Sequence, residues 1–234
     1  MHNPIIVALD VPTVEKALTL AEKLAPVVGA FKIGSELFTA AGPDIVRQIR
    51  STGAAVFLDL KFHDIPNTVA KAVASATRLD VQMLTLHAAG GQEMMRAAEE
   101  SALQTAAQLS RPAPLVLGVT VLTSMDAEEL VAVGLASHVG RQVERLAALA
   151  ARAGLRGLVC SPLEITALRQ LLPGAMELIT PGIRGPGDVA GDQKRTLSAR
   201  EAMDAGATWL VIGRPIYAAD NPRAAAAAIL ESLT

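Results

Sequence analysis

Asp59 and Lys61 stand two residues apart at the end of an apolar run, inside the segment DLKFHDIPNT at 59–68. A β-strand turns successive side chains to opposite faces, so Asp59 and Lys61 are expected on one face and Leu58 and Leu60 on the other. A carboxylate and an ammonium about 4 Å apart attract by about 4 kcal/mol at an effective dielectric near 20. An ammonium flanked by carboxylates keeps its proton at neutral pH. Lys61 is therefore read as an acid or an electrostatic clamp, rather than as the neutral amine that Schiff-base chemistry requires. The plain alternative is a structural ion pair at a strand end. Asp10, Lys32 and Asp64 argue against it, because they add charge close to other strand ends or to the same one.

The elements that must carry these residues are visible as an alternation. Short apolar runs occur at 5–9, 31–33, 55–60, 82–86, 115–119, 157–160, 177–179 and 209–212. Such continuous runs are expected where both faces of a parallel sheet are covered. Longer amphipathic stretches separate them. Val14, Ala17, Leu18, Ala21 and Leu24 form one stripe at helical spacing, with Thr13 as the N-cap. Val139, Val143, Leu146, Ala150 and Ala153 form another, with Gly154 as the stop. Further helices are expected over 43–49, 68–76, 92–109, 162–171, 197–205 and 222–233. Eight β/α alternations in 234 residues predict an α/β protein, a single (β/α)8 TIM barrel occupying 1–234 as one domain. A doubly wound open sheet is the main alternative. It would normally carry a G-x-G-x-x-G turn after the first strand, where this chain has ALDVP at 8–12.

In a barrel the C-terminal strand ends carry the chemistry. Read in order, they present Asp10, Lys32, Asp59 with Lys61, His87, Thr120 with Thr123, Ser161, Thr180, and Gly213 with Arg214. Asp64 follows the third strand, and its spacing fits equally a helix cap before Pro66, Asn67 and Thr68 or a chemical role. The stretch 180–194 holds four glycines and two prolines and reads as a lid, or else as a plain surface loop. Arg184 and Gln193 within it are donors for an anion. Gly213 and Arg214 stand where barrels of this kind often bind phosphate. His87 is expected to be a hydrogen-bonded rim residue, His63 a supporting one and Cys160 a buried one. G-x-S-x-G, Walker A and H-E-x-x-H patterns are absent.

Composition narrows the classes further. Net charge is −2, and no basic stripe suggests a nucleic-acid partner. One cysteine excludes an intrachain disulfide, and no Cys/His cluster suits zinc. No apolar run approaches the roughly 18 residues of a membrane span. Residues 1–4 lack the basic and apolar regions of a signal peptide, so a cytoplasmic location is expected.

These motifs together resemble the orotidine 5′-phosphate decarboxylase family. The likeness runs in order through ALD at Asp10, FKIG at Lys32, DLKFHDIPNT, TVLTSM at 120–125, TPGIR at 180–184, DQKR at Gln193 and VIGRPI at Arg214. It implies a homodimeric barrel that converts orotidine 5′-phosphate to UMP and CO2 with neither metal nor organic cofactor. It implies a charged catalytic array of Asp59, Lys61 and Asp64, joined by Lys32, with Asp64 and Thr68 reaching the neighbouring subunit's site. Lys32 and Asp10 would bind the ribose hydroxyls, and Thr123 with Ser124 would meet the pyrimidine edge. Arg184, Gln193, Gly213 and Arg214 would hold the phosphate, and Pro181 would begin the closing loop. Magnesium-dependent sugar-phosphate decarboxylases share the shorter D-x-K-x-x-D pattern. Lys32 and the IPNT and LTSM elements favour the nucleotide enzyme.

Overall fold

Each apolar run becomes a strand whose side chains are buried alternately inside the sheet and beneath the helices. A computed structural model describes residues 3–185 and 196–233. Its strands are β1 (Ile5–Ala8), β2 (Ala30–Gly34), β3 (Ala55–Phe62), β4 (Met83–His87), β5 (Leu115–Val119), β6 (Gly157–Val159), β7 (Glu177–Thr180) and β8 (Trp209–Ile212). Every neighbouring pair is parallel, and β8 pairs back onto β1 to close the barrel in chain order. The expected (β/α)8 architecture is thus the observed one, and the open-sheet alternative is excluded.

Two apolar layers follow from the strand period. Ile6, Ala30, Phe57, Met83, Leu117 and Ile179 pack inside the barrel. Ile5, Phe31, Leu58, Leu84, Leu158 and Leu210 belong to the larger layer between sheet and helices. Helix Val14–Leu24 starts at Thr13, whose hydroxyl accepts from the Lys16 amide at 3.3 Å, and buries Ala17, Ala21 and Leu24. Helix Val139–Arg152 buries Val143, Leu146 and Ala150, and Gly154 follows it at φ 87. Glycine suits that left-handed position because it has no Cβ.

The structure departs from the periodicity in three ways. β3 continues to Phe62, two residues past the expected end at Leu60. Short helices Ser35–Ala41, Ala127–Ala132 and Arg214–Tyr217 are additional, being too short to show a repeating stripe. The expected helix 162–171 is divided into a 3-10 turn, Pro162–Glu164, and helix Ile165–Leu171. Ser161 and Glu164 form a reciprocal cap there, the carboxylate accepting from the Ser161 amide at 2.9 Å.

Asn3 ties the chain before β1 to the turn before β2. Its side chain donates to Val27 O and accepts from the Ile5 amide, both at 3.0 Å. Gly29 lies beneath it, where a Cβ would stand 2.1 Å from Asn3 O and 2.9 Å from the Trp209 ring. Gly29→Ala is expected to destabilise the barrel by about 1–3 kcal/mol through overpacking, lowering Tm by roughly 2–12 °C in a chain of this size. Calorimetry checks this, and an unchanged Tm would mean that the backbone at Asn3 moves aside freely.

Candidate active site

Strand register explains how four charges meet. Ala8 of β1 is level with Lys32 of β2, and Gly34 of β2 is level with Asp59 of β3. Asp10, two residues beyond Ala8, continues to the level of Gly34 and Asp59 on the same face. The middle member of this row has no side chain. Lys32, from the level below, extends into the gap. A Cβ on Gly34 would come within 3.0 Å of Lys32 Nζ and 3.4 Å of Asp10 Oδ1.

The result is an alternating chain of charge. Asp10 Oδ1 accepts from Lys32 Nζ at 2.9 Å. Lys32 Nζ lies 3.8 Å from Asp59 Oδ2, and Lys61 Nζ donates to both Asp59 oxygens at 2.9 Å. The Lys32 and Asp59 side chains are only 11% and 12% exposed, whereas Lys61 and Asp10 are 35% and 46% exposed. The inner pair is therefore largely withdrawn from water, where an unpaired charge would be costly, and the outer pair faces the opening. Lys61 meets Asp59 as expected, but through an irregular backbone, with φ 52, rather than a regular strand. Leu58 and Leu60 lie together on the outer face, again as the alternation demands.

These charges line one wall of a cavity of about 640 Å3 at the C-terminal end of the barrel. Phe57, Val119, Val159 and Val211 contribute apolar lining. Thr123, Ser124, Pro181, Arg184, Gly213 and Arg214 also line it, so the residues singled out on strands and loops far apart in the chain share one space. The base of the 180–194 stretch is tied down, with Ile183 pairing with Leu197 and the Arg184 amide donating to Leu197 O at 2.9 Å. Gly213 caps helix Arg214–Tyr217 by accepting from the Ile216 and Tyr217 amides at 2.9 and 3.1 Å. Gln193 lies outside the described residues.

Asp64 and Thr68 are not brought into this cavity. They stand on an exposed segment, 63–68, and Asp64 Oδ1 accepts from the Ile65 amide at 2.6 Å. Ile65 between them is 66% exposed. Thr120 is buried and donates to Val159 O at 3.3 Å, while Ser161 serves the cap described above. Cys160 is buried and adjoins the cavity. Glu36 and Tyr217 also line it, although neither ends a strand nor belongs to a recognisable pattern. Among the described residues no group of three or more His, Cys, Asp or Glu is placed to hold a metal ion.

One buried residue escaped the reading of strand ends. Thr85 of β4 is fully buried, accepts from the Lys61 amide at 2.9 Å and donates to Asp59 Oδ1 at 2.9 Å. In the sequence it is marked only as a single hydroxyl in the otherwise apolar run before His87, on the same face as that histidine.

His87 ends β4 beside the array, its ring 5.6 Å from that of His63. Burial holds its imidazole below the ordinary range, with His63 and Lys61 acting in the same direction and Asp59 opposing them. The folded protein thus resists a proton that the unfolded chain accepts near pH 6.5. The stability from neutral His87 is complete above that pH, declines below it and is lost once pH passes the folded value. The His87 ring protons, followed by NMR, are expected to titrate with a midpoint below 6.5. A midpoint at or above that value would contradict the placement of the ring.

The family model described as orotidine 5′-phosphate decarboxylase / HUMPS family matches residues 3–229. A protein named orotidine 5′-phosphate decarboxylase from Moorella thermoacetica is 52% identical over 232 residues, covering 98% of this chain and 92% of that protein. One of the same name from Pseudomonas aeruginosa is also 52% identical over 232 residues, covering 99% and 98%. The crystal structure of orotidine 5′-phosphate decarboxylase from Lactobacillus acidophilus superposes with a TM-score of 0.87 at 34% identity, covering 99% of each chain.

Proposed function

This chain belongs to the orotidine 5′-phosphate decarboxylase / HUMPS family, and from that premise we propose that it is a carboxy-lyase converting orotidine 5′-phosphate to UMP and CO2 in pyrimidine biosynthesis. The observation that carries this reading is the Asp10–Lys32–Asp59–Lys61 array on the wall of a cavity that Arg184 and Arg214 also line. A nucleotide monophosphate with a carboxylate on its base needs such a cavity, with cations for its phosphate and a proton donor for its base.

The chemistry needs a place for charge. When the bond from C6 to the carboxylate breaks, CO2 leaves and the electron pair stays on C6, where the pyrimidine delocalises it poorly. Lys61, an ammonium held at both oxygens of Asp59, stabilises that charge as it forms and then gives its proton to C6. Water restores the proton to Lys61. Asp59 faces the departing carboxylate. Since one side chain supplies both the stabilising charge and the proton, the step calls for neither metal nor organic cofactor. Lys32 and Asp10 hold the ribose hydroxyls, and Thr123 with Ser124 hold the pyrimidine edge. Arg184, Gln193, Gly213 and Arg214 hold the phosphate, with Pro181 starting the segment that closes over it. Phosphate binding far from the breaking bond then serves catalysis by assembling the site.

The functional unit in this proposal is a homodimer of single-domain barrels, each spanning 1–234. Asp64 and Thr68 act in the neighbouring site. Their exposure beside Ile65, away from the cavity of their own barrel, supports that role. The small-molecule substrate is the only other partner proposed, and neither nucleic acid nor membrane takes part. No helix among the described residues is long and apolar enough to cross a membrane. A cytoplasmic setting fits the proposed pathway.

Loss of orotidine 5′-phosphate absorbance in the ultraviolet, followed with EDTA present, is expected for the wild-type protein. Persistence of the substrate band would reject the reading. Lys61→Ala is expected to lower kcat by at least roughly ten-thousand-fold, combining lost proton transfer with lost charge stabilisation, while UMP still binds. A near-wild-type kcat would remove Lys61 from its role. Arg214→Ala is expected to weaken phosphorylated substrates by about 1.5–3 kcal/mol, the worth of a charged hydrogen bond, and to leave the phosphate-free nucleoside unaffected. Equal losses on both substrates would reject the phosphate contact.

A further inference from the structure

β3 and β4 are in register at Leu58 with Leu84, and again at Phe62 with Leu86. Asp59, Leu60 and Lys61 therefore stand against one residue of β4, Thr85. A strand with surplus residues cannot complete its ladder, and the surplus amides and carbonyls need other partners. Lys61 sits in the left-handed region at φ 52, a conformation that residues with a Cβ rarely adopt. Its amide donates to Thr85 Oγ1, at 2.9 Å.

The same oxygen lies 2.9 Å from Asp59 Oδ1. A threonine hydroxyl has one proton and two lone pairs, and an ionised carboxylate only accepts. With one lone pair engaged by the Lys61 amide, the proton is directed to Asp59. The carboxylate is then gripped from several sides: Thr85 and Lys61 on Oδ1, Lys61 with Lys32 nearby on Oδ2. Thr85 is fully buried and outside the cavity lining, so it acts on the reaction only through Lys61 and Asp59.

We propose that Thr85 is a positioning residue of this site, its hydroxyl locking the Lys61 backbone in its left-handed turn and the Asp59 carboxylate in the orientation that receives the ammonium at both oxygens. The proposal rests on the decarboxylase reading for its catalytic consequence. Its structural half, the lock on Lys61, stands apart from that reading. Thr85→Val keeps the shape but removes both hydrogen bonds, so the bulged segment is free to relax. Displacement of a catalytic group by about 1 Å costs on the order of a hundredfold in rate. Substrate affinity, attributed to groups elsewhere in the cavity, should hardly change.

Two measurements on the full chain test this, with thermal melting to verify folding. In steady-state kinetics on orotidine 5′-phosphate, Thr85→Val is expected to lower kcat by roughly 30–100-fold, with KM within about threefold of wild type. Thr85→Ser, which keeps the hydroxyl, should recover most of kcat. A Val variant whose kcat stays within about twofold of wild type, or a Ser variant as slow as Val, overturns the positioning role. In hydrogen exchange followed by NMR, the Lys61 amide should exchange at least about tenfold faster in the Val variant and as in wild type in the Ser variant. Unchanged exchange overturns the lock. This second reading requires no turnover, so an inactive wild-type protein would reject the decarboxylase reading while the lock is still decided. If Thr85→Val does not fold, Thr85→Ala replaces it against Thr85→Ser, with equal behaviour of the two again overturning the proposal.

Discussion

Two ammonium groups converge on Asp59, one at 2.9 Å and one at 3.8 Å, on a carboxylate that is only 12% exposed. Neither like-charged lysine would settle there without it. At such separations each attraction is worth about 4 kcal/mol at an effective dielectric near 20, enough to offset part of the cost of withdrawing the charges from water. The arrangement is also indivisible. Removal of the central carboxylate would leave Lys32 and Lys61 facing each other, and removal of Asp10 would leave Lys32 with only its longer contact. A site built this way holds its cations in place before any substrate arrives, which is the condition for electrostatic stabilisation without reorganisation.

The barrel makes this arrangement possible in two ways. Closure sets the heights of neighbouring strands, so that Asp10, Gly34 and Asp59 fall on one level and a single glycine leaves the opening that Lys32 fills. Phe57, Val119, Val159 and Val211 supply apolar surface in the same cavity beside the charges. Among the described strands the ladder shifts register between β3 and β4, beside the charges. At Asp59 to Lys61 three residues face one, and the Lys61 amide donates to a side-chain hydroxyl. Departures of this kind from local rules are what a functional site is expected to display.

Much of this was legible in the residues. Thr13, the stripe from Val14 to Leu24 and Gly154 announced helix boundaries that the structure reproduces, because caps and periodicity are local physics. Strand-end reading found Asp10, Lys32, Asp59, Lys61 and Arg214, all of which line one cavity. Thr85 is not marked this way, because it lies inside a strand rather than at its end, and no motif marks Glu36 or Tyr217. The same reading ends β3 two residues early, since a bulge looks like the end of a strand when only alternation is read.

The sequence by itself determined the eight strands and the longer helices, the apolar face of each, and that Asp59 and Lys61 meet. These depend on residues a few positions apart. The tertiary structure alone decided that Lys32 would stand between Asp10 and Asp59, and that Thr85 would join Lys61 to Asp59. Those outcomes depend on the heights at which separate strands pair. Such heights are set by closing eight ladders into one ring, a constraint that no single stretch of the chain contains.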